Sequence, residues 1–177
     1  MSDFNRLLEK QIPLLRRYAR ALTRNIERAD DLVQDTLVRA LVKQHLWKAG
    51  TNLRAWLFTL MHNQNINNAR HSIRDGQMVN IETTINVLAA TTDPTASRQL
   101  CELERSLSQL TQEQRQTILL VGLEEFSYME TAAILNVPVG TVRSRLSRGR
   151  DHLRRLLDMP ERAAAVTETA GPLVQAA

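Results

Sequence analysis

The fold is decided by the stretch SYMETAAILNVPVGTVRSRLSRGR, residues 127–150. Ser127 and Glu130 have the spacing of a capping box, in which a hydroxyl and a carboxylate bond the free amides of a helix start. The short apolar helix that they open ends at Asn136, a residue type that tolerates the left-handed backbone conformation. Pro138 then opens a second helix, because its fixed φ suits a first helical turn. Two helices joined by so tight a turn are typical of a helix-turn-helix motif.

The second helix of this motif combines an apolar stripe with an outer face of arginine and serine. At about 100° per residue, the stripe contains Val142, Leu146, Gly149, Leu153 and Leu156. An outer face of small residues and arginine fits the DNA major groove, where arginine forms bidentate bonds with guanine. We expect base contacts from Arg143, Ser144, Ser147 and Arg148. Farther along, we expect phosphate contacts from Arg154 and Arg155; a helical hairpin with a solvated basic face is the alternative interpretation.

Helix signals continue upstream of the motif and then stop. A second capping box begins at Thr111, and the pair Asp93-Pro94 marks another helix start. Residues 75–92, DGQMVNIETTINVLAATT, show no sustained helical period, and a connection this long is unusual inside a compact domain. We interpret them as a flexible linker, and the alanine- and threonine-rich residues 159–177 as a disordered tail.

Three segments near the N-terminus carry apolar residues at helical spacing. Pro13 either opens or kinks the first helix, and Asn25 is the expected cap of the second. The third helix is expected from about Leu53 to His71. The predicted buried stripe of the second helix comprises Ala29, Leu32, Val33, Thr36, Leu37, Ala40 and Leu41.

Together these signals predict an all-α fold of two small helical domains joined by a flexible linker, the C-terminal one a helix-turn-helix. Composition agrees, because good helix formers are abundant, whereas aromatics make up 4% and glycines number 6 among 177 residues. The same scarcity argues against the usual enzyme pocket. The predicted divisions are an N-terminal domain 1–74, the linker 75–92, a C-terminal domain 93–158 and the tail 159–177.

The residues present also disfavour several function classes. Cys101 is the single cysteine, which excludes an intramolecular disulfide and a cysteine-based zinc cluster. The four histidines lack metal-ligand spacing and no nucleophile–base pair is visible, so we expect no metal, no cofactor and no enzymatic activity. Neither a long apolar run nor a signal-peptide pattern occurs, so we expect no membrane insertion and a cytoplasmic location.

Charge is concentrated in two blocks, although the net charge is only +4. No acidic residue occurs from Thr36 to Arg74, and a second, arginine-rich block lies between Arg143 and Arg155. The connector 76–104 is mildly acidic. Two such blocks indicate two contacts with a polyanion such as nucleic acid, with solvated basic helix faces as the alternative.

Three stretches resemble bacterial sigma factors of the extracytoplasmic-function (ECF) branch. Residues 110–157, including AAILNVPVGTVRSRL and RGR, resemble the C-terminal promoter-binding domain of that family. ADDLVQDTLVRAL (29–41) resembles the helix that holds core RNA polymerase. NLRAWLFTLMHNQNINNAR (52–70) resembles the helix that melts and reads the promoter. The resemblance spans about residues 5–157, in the family's order, and implies a sigma factor that directs promoter recognition and transcription initiation.

The resemblance also implies the partners and their sites. The C-terminal recognition helix would read the minus-thirty-five element, while the N-terminal domain would melt and read the minus-ten element. The implied partners are core RNA polymerase, promoter DNA and an anti-sigma factor. The core-polymerase-binding residues would be Asp30, Asp31, Gln34 and Asp35, extended by Arg39. Acidic residues early in a helix also favour its dipole, which is the alternative explanation for the first four.

The implied DNA-binding residues of the N-terminal domain are Arg54, Trp56, Asn63, Asn67 and Arg70. Of these, all but the tryptophan recur at positions compatible with one polar helix face. Asparagine can hydrogen-bond flipped-out bases, and arginine can hold the backbone of a displaced strand. For Trp56, burial in the core is as plausible as a role in strand opening.

The chain departs from the family pattern in the same helix. The family usually has arginine before the asparagine at 63, aspartate at 67 and a denser arginine run after 70, whereas this chain has His62, Asn67 and His71. The lower charge leaves a second hypothesis open, a sigma-like decoy that titrates an anti-sigma factor. A third hypothesis is a stand-alone helix-turn-helix regulator, which would bind DNA tightly without polymerase.

Overall fold

The computed structural model describes residues 3–74 and 94–157. Within these ranges the chain forms seven α-helices and no strand, which confirms the all-α fold. None of the helices in these ranges is long and apolar enough to cross a membrane. The predicted linker 75–92 and tail 159–177 lie outside the described residues. The helices are α1 (Asp3–Thr23), α2 (Ile26–Val42), α3 (Leu53–Arg74), α4 (Pro94–Ser108), α5 (Gln112–Ile118), α6 (Tyr128–Leu135) and α7 (Val139–Leu156).

Helices α1, α2 and α3 pack into an N-terminal bundle. Asn25 caps α2 as predicted, its Oδ1 accepting a hydrogen bond from the Arg28 amide at 2.9 Å. Pro13 lies inside the continuous α1, so it does not open that helix. Helix α3 continues to Arg74, beyond the predicted end near His71. The core of the bundle contains fully buried side chains from all three helices: Leu15, Tyr18, Leu32, Leu57, Phe58 and Met61.

The end of α2 departs from the predicted buried stripe. Leu41 is 44% exposed, because the last turns of α2 carry apolar side chains on more sides than the neighbouring helices cover. Val38 and Val42 in the same turns are also exposed, as is Leu46 of the 3₁₀ turn Gln44–Leu46 that follows. We call Val38, Leu41, Val42 and Leu46 the α2 apolar patch.

Helices α4 to α7 form a C-terminal bundle in which both predicted capping boxes are present. Thr111 begins α5 and Ser127 begins α6, each with reciprocal side-chain and backbone hydrogen bonds. Asn136 ends α6 in the left-handed region at φ 52°, which confirms the predicted turn. Gly149 of α7 faces α5 so closely that an added Cβ would lie 2.6 Å from Ile118 Cδ1. The small residue therefore sets the distance between α5 and α7.

The segment after α5 has a shape that apolar periodicity does not predict. One π-helical turn, Leu119–Leu123, follows α5 without a break. Glu125 then adopts φ 56°, a left-handed conformation that is uncommon for a residue with a side chain. Between these two features, the side chain of Glu124 is placed inside the protein, where it is 0% exposed.

The two bundles pack against each other through α1 and α3 on one side and the π-helical turn and α6 on the other. Phe58 contacts both Tyr18 and Phe126, with ring centroids 5.1 and 5.0 Å apart in edge-on geometry. Asn52 Nδ2 donates to Glu130 Oε1 at 3.0 Å. Buried apolar residues of both bundles therefore form one continuous core. We call this packing the closed arrangement.

Candidate nucleic-acid interface

The outer face of α7 presents the predicted base-contact residues to solvent. Val142, Leu146 and Gly149 are buried against the rest of the C-terminal bundle, and this fixes the rotation of α7 about its axis. As a consequence, the opposite face is exposed. The exposed side chains on it include all four residues predicted to contact bases, Arg143, Ser144, Ser147 and Arg148.

A cleft of about 280 Å³ lies beside this face, between the start of α6 and the middle of α7. Its lining includes two residues that the sequence analysis missed, Tyr128 and Arg150. Tyr128 is the first residue after the Ser127 cap and is 39% exposed, and Arg150 lies two helical turns after Arg143. The heptad spacing on α7 was a usable signal for Arg150. Three arginines and one carboxylate, Asp151, line the cleft, and this excess of positive charge favours an anion such as a DNA phosphate.

The two arginines predicted to contact phosphate are tied to their own helix. Arg154 Nη1 lies 3.0 Å from Asp151 Oδ1, and Arg155 Nε donates to the Asp151 carbonyl at 3.2 Å. Both partners of the ion pair are exposed to solvent, so the pair contributes little and exchanges readily for a phosphate.

The predicted polymerase-binding residues lie along the exposed side of α2. Asp30, Asp31, Gln34 and Asp35 are all exposed, and Arg39 is half-buried. Asp35 Oδ2 also accepts a hydrogen bond from Gln64 Nε2 of α3 at 3.0 Å, which fixes that carboxylate relative to the bundle. The acidic run is followed directly by the α2 apolar patch. Together they form a continuous surface with an acidic half and an apolar half.

The predicted DNA-binding residues of α3 do not share one accessible face. At about 100° per residue, Asn63, Asn67 and Arg70 lie within a narrow sector that also includes Trp56. Arg54 lies on the other side of the helix, so the prediction that it shares their polar face is wrong. Asn63 and Arg70 are exposed and Asn67 is half-buried.

For Trp56 the sequence left two interpretations open, burial in the core and a role in strand opening, and its position is compatible with parts of both. Its ring packs against Phe4 of α1 with centroids 6.4 Å apart in edge-on geometry. The side chain is nonetheless only partly buried. It therefore contributes to the bundle core and is still partly exposed, on the sector of α3 that holds Asn63.

Arg54 is directed into the interface between the bundles, where it meets Glu124. Arg54 Nη2 lies 2.7 Å from Glu124 Oε2 and donates to the Glu124 carbonyl oxygen at 2.6 Å. Arg17 of α1 approaches from another side, with its Nε 3.1 Å from Glu124 Oε1 and its Nη2 donating to the Leu123 carbonyl at 3.0 Å. The guanidinium carbon of Arg54 also lies 4.6 Å from the centroid of the Phe126 ring.

Burial changes the titration of two side chains at or near this interface. Burial lowers the pKa of His62 below its ordinary value, and the nearby charge of Arg145 lowers the pKa further. Tyr18 has a raised pKa, because it is fully buried and the Glu124 carboxylate lies nearby. His62 is therefore neutral near pH 7.

Glu130, the third residue of α6, has a pKa below its ordinary value. The main causes are hydrogen bonds to its carboxylate from the backbone and side chain of Ser127, and Asn52 contributes another. The cap of α6 thus depends on an ionised carboxylate. Within residues 3–74 and 94–157, no group of three or more histidine, cysteine, aspartate or glutamate side chains is placed to hold a metal ion.

Two family models match the two halves of the chain. Residues 8–62 match the model described as the Sigma2 domain of PhyR, and residues 102–153 match the model of sigma-70 region 4. The ECF RNA polymerase sigma factor EcfG of Rhodopseudomonas palustris is 39% identical over 149 residues, which cover 82% of this chain and 80% of that relative. The ECF RNA polymerase sigma factor SigW of Bacillus subtilis is 28% identical, covering 75% of this chain and 77% of SigW.

Solved structures with the same fold include a sigma factor bound to an anti-sigma factor. The sigma factor RpoE of Bartonella quintana, in complex with the anti-sigma factor NepR, has a TM-score of 0.77 at 36% identity, over 91% of this chain and 100% of that one. CnrH in complex with the cytosolic domain of CnrY has a TM-score of 0.65 at 26% identity, over 89% of each chain.

Proposed function

This chain belongs to the ECF family of RNA polymerase sigma factors, and from that premise we propose how its two domains divide promoter recognition. The C-terminal bundle reads the minus-thirty-five element as duplex DNA. The N-terminal bundle binds core RNA polymerase and melts and reads the minus-ten element. The observation that carries this division is the exposed arginine and serine face of α7, which needs no rearrangement to enter a major groove.

On α7, the position of each residue along the helix sets its proposed role. Arg143, Ser144, Ser147 and Arg148 are nearest the N-terminal end of the exposed face and contact base edges. Arg154 and Arg155, together with Tyr128 and Arg150 at the cleft, contact phosphates. Phosphate contacts fix the position of a protein on the duplex, whereas base contacts determine sequence preference.

On α3, the sector formed by Trp56, Asn63, Asn67 and Arg70 is proposed to hold the separated minus-ten strand. Amide side chains can bond the edges of unstacked bases, and a partly exposed aromatic ring can stack its face on one of them. Arg54 lies on the opposite side of α3 from this sector and is proposed as a separate DNA contact. In the closed arrangement, however, it contacts Glu124, so it reaches DNA only after that contact breaks.

On α2, the acidic run and the α2 apolar patch are proposed to dock together on core RNA polymerase. The run of Asp30, Asp31, Gln34 and Asp35 suits a basic partner surface, and Arg39 extends the contact. The apolar patch supplies the burial that a stable interface needs. A factor of this kind acts where the polymerase acts, so we place it in the bacterial cytoplasm as a specificity subunit without catalytic activity of its own.

An anti-sigma factor is the third proposed partner. The sigma factor RpoE, which shares the fold of this chain, has a structure in complex with the anti-sigma factor NepR. A chain whose two halves are held together leaves less surface for polymerase and DNA. A protein that prefers the closed arrangement therefore inhibits initiation.

Two measurements test the proposed function. Purified core RNA polymerase and this chain are expected to co-elute at low salt, and the reconstituted enzyme is expected to start transcription at discrete promoters selected from genomic DNA. Arg148→Ala is expected to reduce this transcription while leaving co-elution unchanged, and Asp31→Asn is expected to weaken co-elution. Failure of the wild-type chain to bind core polymerase would overturn the proposal.

The decoy hypothesis remains as a second candidate, because residues 8–62 match the sigma-like domain of PhyR. A decoy would bind an anti-sigma factor without supporting transcription. It has no use for an exposed Arg143, Ser144 and Arg148, and these are present here. If the reconstituted enzyme is inactive at every promoter while the chain captures an anti-sigma protein, the decoy function replaces the first proposal.

A further inference from the structure

Glu124 is a fully buried carboxylate whose two charged partners both come from the other bundle. Arg17 and Arg54 are 107 and 70 residues away from it in the chain, and each makes a direct ion pair with one of its oxygens. A buried carboxylate without a partner is strongly unfavourable. This position of Glu124 is therefore stable only while the two bundles are packed together.

Each of the two arginines makes two kinds of contact with the segment that contains Glu124. Each guanidinium binds a Glu124 oxygen and also a backbone carbonyl of the same segment, that of Leu123 for Arg17 and that of Glu124 for Arg54. The Arg54 guanidinium lies over the Phe126 ring. Nearby, Glu130 of α6 accepts a hydrogen bond from Asn52. These hydrogen bonds are directional, so they specify one relative placement of the bundles.

We propose that Glu124, Arg17 and Arg54 form a latch that holds the free chain in the closed arrangement and keeps Arg54 from DNA. The arginine side chains are 43% and 30% exposed, whereas Glu124 is 0% exposed. Water therefore reaches the arginine side of the contact first. Because charges that separate regain their hydration, such a contact opens more readily than an apolar one of the same size.

The closed arrangement is also too short to read a whole promoter, an argument that rests on the proposed function. The minus-thirty-five and minus-ten elements lie about 25 base pairs apart, which is roughly 85 Å of B-form DNA at about 3.4 Å per base pair. In the closed arrangement α3 and the helix-turn-helix are in direct contact. The latch must therefore open before both elements are bound at once.

The latch is tested on the free, full-length chain by single-molecule fluorescence energy transfer. Labels are placed at exposed positions in the two bundles, Gln44→Cys and Gln112→Cys, in a Cys101→Ser background. At the picomolar concentrations of such measurements, contacts between copies are absent, so a high-transfer population reports closure within one chain. Circular dichroism of each variant checks that its helices are intact.

Glu124→Gln is expected to raise the ratio of open to closed molecules about tenfold or more, because the two arginines lose a buried carboxylate. The matched control is Glu125→Gln, the same change at the exposed neighbouring residue, and it is expected to leave the ratio within twofold. Equal ratios for the two variants would overturn the proposal.

Arg17→Gln provides a second test in case Glu124→Gln disturbs folding. Arg17 lies at the edge of the contact, so its replacement is expected to raise the open ratio a few-fold, with little further effect when Glu124→Gln is already present. Additive effects of the two changes would contradict a shared latch. The measurement uses neither polymerase nor promoter. The latch proposal can therefore be overturned while the proposed function stands, and the proposed function can be overturned while the latch stands.

Discussion

Helices α7 and α3 are the two predicted DNA-binding helices, and they differ in how much of their proposed DNA-binding residues is exposed in the closed arrangement. On α7, all four residues proposed to read bases are exposed and the helix is fixed by buried residues on its other side. On α3, Asn63 and Arg70 are exposed, Trp56 is partly covered and Arg54 is bound to Glu124. All proposed base contacts of α7 are therefore exposed in the closed chain, whereas one proposed DNA contact of α3, Arg54, is engaged elsewhere.

The difference follows from how each helix uses its charged residues. The arginines near the start of α7 extend from a helix whose packing needs only apolar residues and Gly149. Arg54, by contrast, supplies part of the interface between the bundles. Arg54 therefore couples the arrangement of the domains to the availability of one proposed DNA contact in the N-terminal bundle.

The largest effects on the free energy of unfolding are expected from substitutions that create a cavity in the core. They test whether the two bundles unfold as one unit. Leu57→Ala in the N-terminal bundle and Leu120→Ala in the C-terminal bundle remove side chains that are 0% exposed. Each is expected to lower the free energy of unfolding by about 2–5 kcal/mol. Because the core is continuous, both changes should move a single thermal transition, followed by calorimetry and near-UV circular dichroism.

Val38→Ala, at a side chain that is 53% exposed, is the control and should change stability by less than about 0.5 kcal/mol. Two separate transitions, each moved by only one of the cavity variants, would show that the interface does not couple the bundles in solution.

Substitutions on α7 sharpen the distinction between base and phosphate contacts. Arg148→Ala is expected to cost about 1–3 kcal/mol of binding to the minus-thirty-five element, and to relax sequence preference at one position. Arg155→Ala should weaken binding to all sequences similarly and reduce the salt dependence by about one counterion. Fluorescence anisotropy on matched and scrambled duplexes at several salt concentrations measures both effects. An identical profile for the two variants would refute the assignment of roles along the helix.

The cap of α6 contributes to both bundles. Ser127 caps the first helix of the helix-turn-helix, and its partner Glu130 accepts a hydrogen bond from Asn52 of the N-terminal bundle. Ser127→Ala is expected to lower the free energy of unfolding by about 1 kcal/mol. Ser144→Ala, at an exposed serine inside α7, is the control for this measurement in denaturant. If the two serine variants are equally stable, the capping box does not contribute in solution.

The smallest effect concerns the pH dependence that His62 adds to the N-terminal bundle. Its pKa in the folded protein lies below the ordinary value of 6.5, first because of burial and then because of Arg145. The unfolded chain therefore binds a proton more readily below pH 6.5, so stability is full above that pH and falls as pH drops towards the folded pKa. His62→Gln is expected to flatten this part of the stability profile. A slope retained in His62→Gln would assign it to other groups.

The helix boundaries and turns were predictable because their signals are local. The boxes at Thr111 and Ser127, the cap at Asn25 and the left-handed Asn136 each depend on residues within a few positions of one another. The outward face of α7 followed in the same way from helical periodicity.

The interface between the bundles could not be predicted in this way. Glu124 looks like one of two adjacent surface glutamates in the sequence, and only its contacts with Arg17 and Arg54 show that it is buried. Arg54 is off the face assigned to it because of its place in the helical period, which is a local signal, whereas its contact with Glu124 is long-range and was not predictable. The exposure of Leu41 likewise depends on where the neighbouring helices end. The apolar periodicity within α2 carries no information about those ends.

The most direct test of the account is a footprint of one selected promoter, taken with the free chain and with the reconstituted polymerase. We expect the free chain, at low salt, to protect only the minus-thirty-five element, whereas the reconstituted enzyme protects both elements and exposes unpaired bases at minus ten. Protection of the minus-ten element by the free chain would contradict the claim that the N-terminal site is withheld until the domains separate.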